Sequence, residues 1–304
     1  MALVAWLMFR PHGSDPAAAL DPDYIRLEEA RMAAVLDDPQ ADSLALPNLP
    51  TTPVDPVAAD AAAAAALDAG LVLAARSGRP PLKALLFLHG LGDSGRAWTA
   101  RAARWQESLP DLAVVLPSAP AMAVTAASGM SLPAWYDVLS MRVDGPQAAD
   151  SIRAGAEMVR AMVAKVAEDL GLPQSAILVA GFSMGAALAL FAALETRLLG
   201  APHRGGHLVA VGVLSGYLPL HTLVASAKAR RRGQPEWQRA LPPLAVFMAH
   251  GARDAVVPLQ AAAASARALE REPWIELEFF TVRGCGHETC TAEELEFVRW
   301  LGAR

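Results

Sequence analysis

The stretch Ala176–Leu194 (AILVAGFSMGAALALFAAL) carries no charged side chain over its 19 residues. By length alone such a run can cross a bilayer. Its centre argues otherwise. Gly181-Phe182-Ser183-Met184-Gly185 is a turn signal between a short aliphatic segment, Ala176–Ala180, and an Ala/Leu-rich segment. A buried strand, a tight turn and a buried helix give the same hydropathy as a membrane span. A strand that apolar is covered on both faces, so the rest of the chain must supply layers above and below it.

The remaining sequence has the elements for this. Ala84–Leu88, Leu112–Leu116, Leu208–Leu214, Leu244–Ala249 and Glu276–Val282 are short apolar runs that fit buried strands. Helical stretches follow most of them. Asp150 can cap a helix whose apolar residues Ile152, Ala156, Val159, Val163, Val166 and Leu170 recur in steps of three and four, along one helical face. Gly171 then ends it with the residue that tolerates a left-handed cap. Thr291 and Glu294 have capping-box spacing before a last helix, Ala292–Leu301. Buried strands alternating with helices predict an α/β fold with a mostly parallel central sheet and helices on both faces.

Composition sets the outer bounds. Of 304 residues, 54% are hydrophobic and 19% charged, which excludes general disorder. The net charge is −5, and the only basic run is Arg230-Arg231-Arg232, so nucleic-acid binding is not expected. Two cysteines, Cys285 and Cys290, are too few for a disulfide framework and favour a reducing, cytoplasmic setting. Residues 1–80 differ in character from the remainder of the chain. They hold many prolines, the Ala61–Ala66 tract and few β-branched runs, and are expected to be a poorly structured extension. Asp23–Leu36 could form a helix within it. Met1–Phe9 is apolar but short and lacks the basic start of a secretory leader. The folded domain is expected over 81–304.

Ligands in open parallel sheets bind outside the carboxyl ends of the strands. Gly181–Gly185 fits G-x-S-x-G at such an end, where a sharp turn would lift the Ser183 hydroxyl above the sheet. Serine is a weak nucleophile near neutrality and needs a base and a group that orients the base. In chain order Ser, then acid, then His, the candidates are Asp254, after the Leu244–Ala249 strand, and His287, after the Glu276–Val282 strand. His287 would take the Ser183 proton, and Asp254 would hold the imidazole tautomer. Activity should therefore rise with pH as His287 becomes neutral. Leu88-His89-Gly90-Leu91-Gly92-Asp93 follows the first strand. A backbone N–H from that turn, with the N–H of Met184, could form an oxyanion hole. His89 and His250 fit structural roles better than that of the base. Cys285, His287 and Cys290 are a poor metal site, since no partner C-x-x-C exists, and a bond between the cysteines is the weaker alternative to free thiols. No cofactor or metal is expected.

These blocks together resemble the acyl-protein thioesterase and carboxylesterase family of α/β-hydrolases. Leu88–Gly95 is similar to its oxyanion block, and Pro117-Ser118-Ala119-Pro120 through Trp135-Tyr136-Asp137 to its lid segment. Gly181–Gly185 is similar to its nucleophile elbow. Leu214-Ser215-Gly216-Tyr217-Leu218-Pro219, His250-Gly251 with Asp254, and Gly286-His287 complete the match, which runs from about Lys83 to Leu301. The resemblance implies a Ser183–Asp254–His287 triad and oxyanion amides at Leu91 and Met184. It also implies an acyl-binding surface around Met130, Leu132 and Trp135. Where the family commonly has Gln after the nucleophile, this chain has Met184, and Ala186 follows Gly185 where a second glycine is common. The implied substrates are long-chain thioesters on protein cysteines, with transient membrane contact. General carboxylesterase or lysophospholipase activity is the alternative, and a noncatalytic binding protein a more distant one. Nothing in the sequence fixes the oligomeric state.

Overall fold

The computed structural model describes residues 54–142, 145–199, 208–221 and 241–304. A seven-stranded sheet runs in the order β1-β3-β2-β6-β7-β8-β9. The strands are β1 (Leu71–Leu73), β2 (Lys83–Leu88), β3 (Leu112–Leu116), β6 (Ile177–Phe182), β7 (Ala210–Leu214), β8 (Leu244–Gly251) and β9 (Ile275–Val282). All neighbours pair in parallel except β1, which runs antiparallel to β3 with Leu71 opposite Leu116. Strands β4 (Ala121–Val124) and β5 (Met130–Pro133) form a separate antiparallel pair.

Period-two alternation splits the core into two layers. Ala84, Leu86 and Leu88 of β2 face one cluster, and Leu85 and Phe87 face the other. The first layer holds α1 (Pro56–Asp68), α3 (Ala149–Leu170), α4 (Met184–Leu199) and α5 (Leu259–Glu270). The second holds α2 (Thr99–Ser108) and α6 (Thr291–Gly302), through Trp105, Phe297 and Trp300. Helices α3 and α4 are also joined at the buried Glu195, which accepts from Arg153 at 3.1 Å and Arg160 at 3.0 Å.

The uncharged run divides as expected, into strand β6 and helix α4. Among the described residues no helix is long and apolar enough to cross a membrane. Gly171 ends α3 with φ 63°, while Asp150 lies in the first turn and Ala148 takes the cap position.

Asp150 is therefore not the cap that the sequence suggests, and two further expectations need correction. The last helix starts at Thr291 with Cys290 at its cap, so Thr291 and Glu294 form no capping box. Glu294 instead accepts from Arg101 at 2.7 Å and Arg104 at 3.1 Å, tying α6 to α2. The second concerns the expected start of the fold at 81. Helix α1 begins at Pro56, capped by Asp55, whose carboxylate accepts from the Val57 N–H at 2.9 Å. Its Ala59, Ala63 and Ala66 are buried, and β1 extends the sheet. Small alanines let the helix approach closely: the Ser118 N–H reaches the Ala66 carbonyl at 2.9 Å. The helix expected at Asp23–Leu36 and the run Met1–Phe9 lie outside the described residues.

Candidate active site

The turn between β6 and α4 explains its own glycines. A Cβ at Gly181 would stand 2.5 Å from the Gly185 carbonyl carbon, and one at Gly185 would stand 2.3 Å from the Leu88 oxygen. Neither gap admits a side chain. Between them Ser183 takes φ 54°, the left-handed region that a non-glycine residue adopts at a cost of roughly 1–3 kcal/mol. The surroundings hold it there. Its N–H donates to the Leu214 carbonyl at 2.9 Å, and its carbonyl accepts the Ala187 N–H at 2.9 Å as α4 begins.

His287 and Asp254 lie at the same rim, in the turns after β9 and β8. His287 Nε2 is 2.9 Å from Ser183 Oγ. His287 Nδ1 is 2.7 Å from Asp254 Oδ2. Asp254 Oδ1 accepts the N–H groups of Val256 at 2.9 Å and Val257 at 2.8 Å, which fixes the carboxylate. The Asp254 side chain is fully buried and the His287 ring is 17% exposed. The carboxylate is therefore shielded from water, while the ring keeps an edge open to the outside.

The two oxyanion candidates are also near. A Cβ at Gly90 would lie 3.4 Å from the Ser183 Cβ, so the turn carrying Leu91 passes beside Ser183. Met184 is the first residue of α4, where a helix leaves its N–H without an internal partner. Among the described residues no acceptor takes the N–H of Leu91 or Met184. His89 organises the turn. Its Nδ1 donates to the Gly90 carbonyl at 2.7 Å, and its Nε2 accepts the Ala119 N–H at 2.9 Å. Burial lowers its pKa, consistent with a neutral ring.

Trp135 departs from its expected place on an acyl surface. It is only 3% exposed, and its Nε1–H donates to the His89 carbonyl at 2.8 Å. Its indole is held inside the loops rather than offered to a ligand. Met130 is 47% exposed and Leu132 half-buried, both on β5. Cys285 and Cys290 are joined as a disulfide, which corrects the expectation of two free thiols. Five residues apart, they bracket His287 across a Cα–Cα distance of 6.3 Å, within the usual disulfide range. Among the described residues no group of three His, Cys, Asp or Glu side chains could hold a metal.

Two ionisable residues near Asp254 have surroundings that the sequence does not announce. His250 Nε2 donates to the Val257 carbonyl at 2.8 Å and lies 3.3 Å from Asp254 Oδ2. Burial lowers its pKa despite the nearby carboxylate, so it flanks Asp254 as a neutral ring. Its spacing four before Asp254 is the available signal. Glu293, in the first turn of α6, is fully buried, with the Cys290 backbone amide favouring its charged form against the burial. Burial first, and the Asp254 charge with it, pushes its pKa up to about 8 from 4.5. The folded chain thus holds a proton that the unfolded chain releases, and stability present below pH 4.5 is lost as pH rises through about 8. Glu293→Gln should therefore raise Tm by at least about 5 °C at pH 9 and by little at pH 4.5, read by calorimetry at both.

A family model described as Phospholipase/Carboxylesterase matches residues 72–300. Acyl-protein thioesterase 1 of Neurospora crassa is 30% identical over 245 residues, which span 74% of this chain and 91% of that protein. Acyl-protein thioesterase 1 of Schizosaccharomyces pombe is 34% identical over 188 residues, 61% of this chain and 74% of that one. Among solved structures, acyl-protein thioesterase 2 of Zea mays superposes with a TM-score of 0.62 at 27% identity, covering 77% of this chain and 98% of that one.

Proposed function

The chain belongs to the phospholipase/carboxylesterase family of α/β-hydrolases, and from that premise we propose that it is an acyl-protein thioesterase working through Ser183. The observation that carries the proposal is the unbroken line from Ser183 Oγ through the His287 ring to Asp254, at 2.9 and 2.7 Å.

In the first half-reaction Ser183 Oγ attacks the thioester carbonyl carbon while its proton passes to His287 Nε2. The carbonyl oxygen, now an anion, takes the N–H groups of Leu91 and Met184. Asp254 stabilises the imidazolium through Nδ1–H. As the intermediate collapses, the carbon–sulfur bond breaks and the cysteine thiol leaves with the proton from His287. In the second half-reaction His287 takes a proton from water, the hydroxide attacks the acyl-serine, and Ser183 regains its proton as the fatty acid departs. No cofactor enters either half.

The substrate class is supported by the named relatives and by energetics. Each buried CH₂ contributes about 0.8 kcal/mol, so a palmitoyl chain leaving a bilayer forgoes roughly 11 kcal/mol. An enzyme that takes such a chain must offer comparable apolar cover. Leu132 and the exposed Met130 supply part of it, and Met130 also suits brief contact with a membrane surface. A cytoplasmic setting is proposed on the cysteine count, with the Cys285–Cys290 bond as the observation against it. The expected result is a kcat/KM that rises along a series of C2 to C16 acyl thioesters. A sharp optimum at C2–C4 would replace this proposal with a general carboxylesterase using the same serine.

A further inference from the structure

We propose that Pro133-Ala134-Trp135 is a bracket that sets the spacing of the oxyanion hole, with Trp135 as its positioning residue and the Met184 sulfur as its anchor. The inference rests on the Ser183 reading and concerns how its two oxyanion amides are held. Three hydrogen bonds define the bracket. The Trp135 indole N–H donates to the His89 carbonyl at 2.8 Å. The Gly92 N–H donates to the Pro133 carbonyl at 2.8 Å. The Trp135 backbone N–H donates to Met184 Sδ at 3.4 Å.

The first two bonds grip the turn on either side of Leu91. The third grips the residue whose own N–H is the second oxyanion donor. Leu91 and Met184 come from different loops, after β2 and after β6, and the bracket bonds both loops through one short segment. Its own footing is firm. The Ala134 N–H donates to the Pro120 carbonyl at 3.1 Å, and the Trp135 and His89 rings lie 4.9 Å apart. On the far side, a Cβ at Gly155 of α3 would stand 2.8 Å from the Trp135 carbonyl oxygen, so the helix backs the segment closely. The sulfur therefore has a role of its own: Met184 presents an acceptor, buried with only 6% exposure, to a backbone N–H that would otherwise lack one.

The bracket continues directly into β5, which carries Met130 and Leu132. An acyl chain lying on that pair thus presses on the segment that spaces the two amides. Chain-length preference should then appear in kcat as well as in KM, because the oxyanion hole acts in the transition state.

The test uses the full chain and p-nitrophenyl acetate, an ester too short to lie along β5, with fluorophosphonate labelling alongside. Trp135→Phe keeps the ring and removes the indole donor. It should lower kcat about tenfold with KM within about twofold. Met184→Leu keeps the backbone N–H and removes the sulfur, and should show the same pattern. Met184→Gln restores an acceptor and should lose at least about threefold less than Met184→Leu. The double variant Trp135→Phe/Met184→Leu should lose less than the product of the single effects, because both act on one unit. If Trp135→Phe does not fold, the Met184 pair carries the test. Equal kcat for Met184→Leu and Met184→Gln, or a loss confined to KM or Tm, overturns the bracket while the labelled wild type keeps the Ser183 reading intact. A wild type that fails to label overturns both.

Discussion

Ser183→Ala should reduce turnover of a palmitoyl thioester by up to about 10⁶, to the residual rate that binding and oxyanion donors alone sustain. The size follows from what is removed. His287 loses the hydroxyl that its Nε2 meets at 2.9 Å, and no acyl-enzyme can form on residue 183. Substrate binding should survive, since the apolar surface near β5 is untouched. The melting temperature should change little, because Ala carries the same Cβ, bears the same cost at φ 54° and keeps the same backbone bonds. Steady-state kinetics with a thermal melt checks both halves. Turnover within about tenfold of wild type would remove Ser183 from the chemistry.

The second large effect is expected for Asp254→Asn, a fall of about 10⁴ in kcat at neutral pH. The backbone dictates which way the amide must turn. The position of Oδ1 takes two N–H donors, from Val256 and Val257, so the amide oxygen belongs there. The NH₂ group then occupies the position of Oδ2 and points at His287 Nδ1, and also toward the Nε2–H of His250. His287 is driven into the tautomer with its proton on Nε2, facing Ser183, and cannot accept another. A kcat pH profile on the folded variant measures this. A loss under about tenfold would mean that Asp254 does not hold the tautomer.

Much of this arrangement is legible in the sequence because its signals are local. The elbow glycines, the five-residue run of β3 and the stepped apolar face of α3 each depend on neighbours within a few positions. Ser183, Asp254 and His287 are found by chain order and by each lying after a strand. What escapes the sequence depends on distant partners. Helix α1 is mostly alanine, so it lacks the contrast between faces that marks an amphipathic helix, and β1 has only three residues. Strands β4 and β5 have four residues each and are largely exposed, too short for a period of two to stand out in the sequence. Trp135 looks like a ligand-facing aromatic until its indole is seen to bond His89, 46 residues away. Glu293 carries no motif of its own, and the His250-Gly251 block does not show what the His250 ring packs against. Their importance comes from burial beside Asp254, which composition does not reveal. The disulfide likewise depends on a loop folding back over five residues.

The central claim is that a hydroxyl, an imidazole and a carboxylate from three separate strand ends form one nucleophilic unit. Mass spectrometry of enzyme quenched during turnover of a palmitoyl thioester tests it most directly. The account predicts a palmitoyl group on the peptide containing Ser183, absent from Ser183→Ala and accumulating more slowly in Asp254→Asn. A palmitoyl adduct on another residue at full turnover, or the same adduct yield in Ser183→Ala, would contradict it.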